Sequence, residues 1–303
     1  NGEGIMYGDT KRADFRYIEG LEDHDIGTMF FWDENDRLIA MIINIACPSQ
    51  EVEGLYEIHA DFWHPVREQL RAKYGNHVTI LSWVGAAGDF SPHTMYRKEA
   101  EERMRKLRKI SRLDEIARRI TNVVNDCYEI VQNDKQNDIV FRHEYELIPL
   151  PYHKVTQKEY NDIVNESKAI EVRLTKEPQL KTYYDWTRQM VGRFESQQKG
   201  EFTVFETPVH IIRIGNIAVM SNPFELFSAY GIQMKARCKA IQTFIVQLTD
   251  APPPPQVSAG YLPTADAYQH GGYSAIVKSI HVGPEGGQKL VEESLKRANT
   301  LFE

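Results

Sequence analysis

The sequence predicts an α/β fold: a mixed, largely parallel central sheet covered by helices, with a helical middle segment. Three observations carry that expectation. Six short apolar runs are mostly continuous rather than alternating, as strands covered on both faces require. Amphipathic stretches of helical period lie between them. Gly and Pro cluster where most runs end.

Taken in order, strand character falls at Thr28–Trp32, Leu38–Ala46 and Val78–Val84, then at Val209–Ile214, Ile217–Ser221 and Phe244–Leu248. Gly215-Asn216, between two of these runs, fits a tight hairpin. Glu57–Tyr74 reads as a helix, because Ile58, Phe62, Val66 and Leu70 recur at fourfold spacing and Gly75 stops it. Tyr96–Gln132 is a long, charged helical segment with Met104, Leu107, Ile110, Leu113 and Ile120 among its apolar positions. Asn161–Ser196 continues as polar helix broken near Pro178, and Glu285–Phe302 closes the chain as a helix. No linker marks a boundary, so residues 1–303 read as a single domain in which 96–200 form a mainly helical layer or insertion.

Composition narrows the function. Of 303 residues, 42% are hydrophobic and 26% charged, which excludes a disordered chain. The longest apolar stretch, Leu38–Cys47, is half of what a membrane helix needs, so no transmembrane segment is expected. Thirty-six basic against 43 acidic residues give a net charge of −7. Without a basic footprint, nucleic acid is not an expected partner. Cys47, Cys127 and Cys238 form neither a disulfide framework nor a zinc knuckle. The chain begins at Asn1 rather than Met, which reads as processing or truncation.

The informative pattern lies in the residues just beyond the strands. Leu38–Ala46 leads into Cys47-Pro48-Ser49-Gln50, and Val78–Val84 into a Gly-rich turn ending Asp89-Phe90-Ser91-Pro92-His93. Ile217–Ser221 leads into Asn222-Pro223-Phe224-Glu225. Phe244–Leu248 leads, past the run Pro252–Pro255, into Gly260-Tyr261-Leu262-Pro263-Thr264. Ligands of open α/β sheets bind beyond the carboxyl ends of the strands, so these exits are candidates to share one crevice. Each residue also has a plainer reading. Cys47 suits a small buried hydrophobe. Asp89 and Ser91 suit a turn before the helix at Tyr96. Glu225 opens an apparent helix, where a carboxylate is favoured in any case. His59, Asp61 and His64 are spaced too poorly along one helix to share a metal, and His93 and His210 have no partner at any telling spacing. The proline run reads as a spacer.

Together the motifs resemble the neutral, non-lysosomal ceramidase family. Gly88-Asp89-Phe90-Ser91-Pro92 matches its GDxSP motif. Asn222-Pro223-Phe224-Glu225-Leu226 is similar to a segment whose glutamate binds zinc there. Gly260-Tyr261-Leu262-Pro263-Thr264, then Tyr268, Tyr273-Ser274-Ala275 and Gly283-Pro284, keep the family's order, in which that first tyrosine is also a metal ligand. Two departures stand out. Cys47 takes the place of a zinc histidine, and the family's upstream His-x-His is not in these residues.

The resemblance implies zinc held by Glu225, Tyr261 and, at a modified position, Cys47. It implies attack of an activated water on an amide, Asp89 and Ser91 orienting water or substrate, and His93 moving a proton. The expected substrate is a small-molecule or lipid N-acyl compound, met in a secreted or periplasmic setting. Two other functions remain open: an acyl hydrolase with Cys47 as nucleophile, and a non-catalytic binding protein of the same fold.

Overall fold

The computed structural model describes residues 2–201, 203–254 and 258–303; of the proline run, Pro255 lies outside them. The chain runs β1 (Ile26–Trp32), β2 (Leu38–Ile45), α1 (Trp63–Tyr74), β3 (Thr79–Val84), α2 (Lys98–Arg108), α3 (Arg112–Val131), β4 (Phe141–Pro151), α4 (Gln157–Glu171) and α5 (Lys181–Gln198). It continues through β5 (Val204–Ile214), β6 (Ile217–Ser221), β7 (Glu225–Leu226), α6 (Ser228–Arg237), β8 (Gln242–Val246), β9 (Tyr261–Leu262), α7 (Ala265–His270) and α8 (Pro284–Thr300).

Strands form a sheet β1-β2-β3, a sheet β4-β5-β6-β8 and a short pair β7-β9. The expected mixed α/β architecture is present, but the sheet is only partly parallel. β2–β3, β6–β8 and β7–β9 are parallel, whereas β1–β2, β4–β5 and β5–β6 run antiparallel. Two hairpin-like connections and a long returning strand account for the difference. In one of them Ile214 faces Ile217, and Gly215 takes the positive φ of +58° that a two-residue turn demands.

Helices cover the outer faces. Trp63, Val66 and Leu70 of α1 and Ala117, Ile120 and Val124 of α3 pack with Met41, Ile43 and Ile80 of the first sheet. Tyr230 and Met234 of α6 and Leu290, Val291 and Leu295 of α8 pack with Phe205, Val209, Ile211 and Met220 of the second. The sheets meet through Met29, Ile42, Val219 and Phe244. α4 and α5 pair around Ile163, Met190 and Phe194.

Three differences from the expected elements have local causes. α1 starts at Trp63 rather than Glu57. Asp61, at φ +50°, uses its carboxylate to accept from Val52 N and Phe62 N, holding the preceding loop off the helix. The long 96–132 segment is two helices, because Ser111 and Asp114 form a capping box that starts α3 afresh. β4 occupies the middle of the expected helical layer. Its alternation of Arg142, Glu144 and Glu146 with Phe141, Tyr145 and Leu147 is strand period in a charged sequence. None of the helices among the described residues is long and apolar enough to cross a membrane.

Candidate functional site

The carboxyl ends of β2, β3, β6 and β8 are tied together by backbone bonds. Gly85 N donates to Ile45 O (2.7 Å), Gln247 N to Val84 O (3.1 Å) and Asn222 N to Val246 O (3.0 Å). The loops leaving these ends border a crevice of about 850 Å³. Its wall includes Pro48 and Gln50, the turn Ala87–Ser91 with His93, Glu225, and Tyr261 with Thr264.

The Asp89 turn is set by steric fit. Gly88 N donates to Leu226 O (2.8 Å), and a Cβ at Gly88 would lie 2.3 Å from Glu225 O. Only glycine allows the turn to sit against β7. Asp89 then reaches α6: its carboxylate accepts from Ser228 N (2.7 Å) and Ser228 Oγ (2.8 Å). Asp89, not Glu225, therefore serves the N-terminus of α6; Glu225 lies three residues earlier, in β7. Burial pushes the Asp89 carboxyl up, against the pull of the Ser228 bonds, and Glu19 adds to the rise.

Ser91 and His93 form a pair. Ser91 Oγ lies 3.0 Å from His93 Nδ1 and also accepts from His93 N (3.2 Å). His93 Nε2 lies 3.3 Å from Glu51 O. A carbonyl only accepts, so that contact places the proton on Nε2 and leaves Nδ1 free to receive the Ser91 hydroxyl. The Tyr7 ring meets the imidazole edge-on at 5.0 Å.

Glu225 and Tyr261 are direct partners in the β7–β9 ladder. Glu225 N donates to Gly260 O (3.0 Å) and Tyr261 N to Ser279 O (2.9 Å), fixing both backbones. The Tyr261 phenol donates to the Glu225 carboxylate. Burial raises the Glu225 carboxyl and that bond opposes the rise; burial, then the adjacent carboxylate, drives the Tyr261 phenol strongly upward. Tyr273 stands edge-on to Tyr261 at 5.8 Å.

Cys47 sits apart from these groups. Its side chain packs with the core under α1 and α3 and does not line the crevice. Burial, then Asp61 and Glu51, pushes the thiol up to about 12. His59 and His64 are exposed while Asp61 is buried, so that trio does not converge. His210 pairs with His143, 2.9 Å between ring nitrogens, on the β4–β5 ladder. Among the described residues, the three metal-type side chains that do come together are Glu19, Asp266 and His270, on the crevice wall and largely exposed.

Sequence reasoning missed Gln247 and the N-terminal segment. Gln247, 3% exposed, accepts with one Oε1 from Ala87 N and Leu226 N, both at 3.0 Å. It locks the Asp89 turn to the Glu225 strand. A single Gln after a strand carries no motif. Residues 2–22 supply one wall of the crevice, including Tyr7, Tyr17 and Glu19, from a segment with no regular period.

No protein-family model matches this sequence, and no curated protein matches it. Solved structures do. The crystal structure of neutral ceramidase from Pseudomonas aeruginosa superposes with a TM-score of 0.58 at 14% identity, over 92% of this chain and 47% of that one. A ceramidase complexed with C2 gives a TM-score of 0.58 at 14% identity, over 96% and 50%. This chain spans about half the length of those proteins, and across that span it has a ceramidase-like fold.

Proposed function

We propose that the crevice hydrolyses an N-acyl (amide) bond. The observation that carries this reading is that two polar pairs, Ser91–His93 and Glu225–Tyr261, line the same crevice at the strand exits. An amide carbonyl entering the crevice would draw the single hydroxyl proton of Tyr261, which burial keeps on the phenol, away from Glu225. Water oriented by Ser91 attacks the carbonyl carbon. Its proton passes through Ser91 Oγ to His93 Nδ1 and then to the departing amine nitrogen as the C–N bond breaks. Asp89 holds the turn on α6 rather than touching substrate.

The ceramidase-like fold raises the question of zinc. Glu225 and Tyr261 offer two oxygen donors already hydrogen-bonded to each other, where a cation would take the place of the shared proton. They fit as part of a zinc site, and the ion would supply an activated water there. Cys47 does not fit: its side chain packs under α1 and α3 and does not line the crevice. Two ligands fall short of the three that catalytic zinc sites draw from protein.

A lipid N-acyl substrate and an extracytoplasmic setting rest on the same fold likeness and belong to this proposal. The raised thiol pKa weighs against Cys47 as nucleophile. The incomplete ligand set favours, as second reading, a binding protein that retains the crevice without turnover.

The test is hydrolysis of an N-acyl series, from short fluorogenic amides to ceramide in mixed micelles, with and without added zinc. We expect turnover that falls at least about a hundredfold in Ser91→Ala, His93→Ala and Glu225→Gln. Binding without turnover would establish the second reading. Turnover unchanged in all three variants would remove this crevice as the site.

A further inference from the structure

We propose that β4 is a self-complementary edge, through which two copies of this chain pair antiparallel into a symmetric dimer. β4 is an 11-residue strand that, among the described residues, has a neighbouring strand, β5, on one side only. Its outer row of backbone N–H and C=O groups is an open template for another strand. Lys289 Nζ, which bonds Pro149 O, touches it near one end, outside the stretch Phe141–Leu147.

Long open edges are usually protected by charge, and β4 carries Arg142, Glu144 and Glu146. Their order matters more than their number. If the two-fold axis passes through Glu144, the segment Phe141–Leu147 pairs with its own copy in reverse. Phe141 then faces Leu147 of the other copy, Arg142 faces Glu146, and His143 faces Tyr145, each pair occurring twice. An apolar pair, an opposite-charge pair and an aromatic pair are each favourable across an antiparallel ladder. Shifting the register by two in one direction sets Glu144 against Glu146. Shifting it the other way sets Arg142 against Glu144 but leaves Glu146 against Val140, without a charged partner. The register centred on Glu144 satisfies every flanking position.

In the isolated chain His143 and Tyr145 already meet the ring of His210, while the other groups of this stretch stay largely exposed. Phe141 is 59% exposed, Tyr145 50% and Leu147 39%, all on one face of the strand. Among the described residues, neither Arg142 nor Glu144 has an ion-pair partner. Arg142 instead turns back onto the carbonyl of Phe141 (3.0 Å). Glu146 lies 3.9 Å from Arg297. On the opposite face Ile148 and Leu150 sit in the core beneath α8, whereas Arg142, Glu144 and Glu146 at the other end of the strand do not. One cost remains. The two Glu144 carboxylates meet on the axis, flanked diagonally by the two Arg142 side chains, and like charges directly opposite weaken a ladder.

Sedimentation analysis over a concentration series tests the pairing, with circular dichroism confirming the fold of each variant. Wild type is expected to self-associate as a dimer. Arg142→Glu and Glu146→Arg each turn two attractions into repulsions and should weaken association about tenfold or more. The double reversal Arg142→Glu/Glu146→Arg rebuilds both pairs and should restore it. Glu144→Gln removes the repulsion on the axis and should tighten it. A wild type that stays monomeric at its highest soluble concentration overturns the proposal. So does a dimer indifferent to the single reversals, or a double reversal no better than either one.

Discussion

Glu225 and Tyr261 stand opposite each other in a parallel ladder only two residues long, and the phenol of one is held by the carboxylate of the other. The two loops that carry them are separated by 35 residues of chain, yet the ladder fixes their side chains on one crevice wall. Such an arrangement is costly. A half-buried carboxylate with no cation beside it is a poor contributor to stability, which is typical of groups kept for function.

The sign of that cost comes from its titration. The folded state raises the Glu225 carboxyl above its ordinary value, so the folded protein holds a proton that the unfolded chain has released. Stability is therefore greatest below the unfolded pKa and falls as pH rises through the folded one. Glu225→Gln should melt at or above the wild-type temperature near pH 8, with the two curves converging in acid. Paired thermal melts from pH 4 to about pH 8 check this; a variant that melts below wild type near pH 8 would contradict it.

Gln247 is expected to be the most sensitive uncharged position near the crevice. Its side-chain oxygen is the acceptor for two backbone N–H groups from different loops. Gln247→Leu would orphan both, at about 1–3 kcal/mol for each buried donor, so a loss of about 2–6 kcal/mol is predicted. Urea denaturation measures it. Gln247→Glu keeps an acceptor oxygen and should recover part of the loss if the two N–H bonds are its source.

What the sequence disclosed and what it hid have separable causes. β2 and β3 were legible because their apolar runs are continuous, and Gly88-Asp89 was legible because a close approach leaves no choice of residue. β4 was hidden by its own charges: an edge strand alternates, and Arg142, Glu144 and Glu146 dilute its apolar signal. At Cys47 the strand exit was visible but the side-chain direction was not. Direction alternates residue by residue along a strand, and here it sends the thiol under α1 and α3 while Pro48 and Gln50 line the crevice. Gln247 acts through geometry that no local pattern encodes.

The position of Cys47 leads to a chemical prediction. A thiol pushed from about 9 up to about 12 carries about a thousandfold less thiolate at a given pH. Alkylation of the folded protein at pH 8 should therefore label Cys47 slowly, and Cys47→Ser should leave any bound zinc unchanged while Glu225→Gln removes it. Mass spectrometry after timed labelling, with elemental analysis of both variants, decides the matter. Rapid labelling, or zinc lost with Cys47, would restore the cysteine to the site.

Glu115 of α3 gives the opposite pH dependence to Glu225, and for the opposite reason. Its side chain is 2% exposed and lies among three guanidinium groups: Arg108 at 3.0 Å, with Arg118 and Arg119 each at 2.9 Å. The Arg118 bonds, joined by those of Arg119, hold its carboxyl down to about 2 despite burial. A depressed folded pKa means stability that is present above the unfolded value of about 4.5 and lost as pH falls towards about 2. Arg119 also reaches Glu101 at 2.7 Å, so the same cluster joins α2 to α3. Glu115→Gln would leave these arginines facing a neutral amide, a change that costs about 3 kcal/mol when a buried pair is broken on one side. Urea midpoints at pH 7 should show that loss in full, and at pH 2 the variant and the wild type should unfold at nearly the same concentration. A gap that persists undiminished in acid would mean that Glu115 acts through its shape rather than its charge.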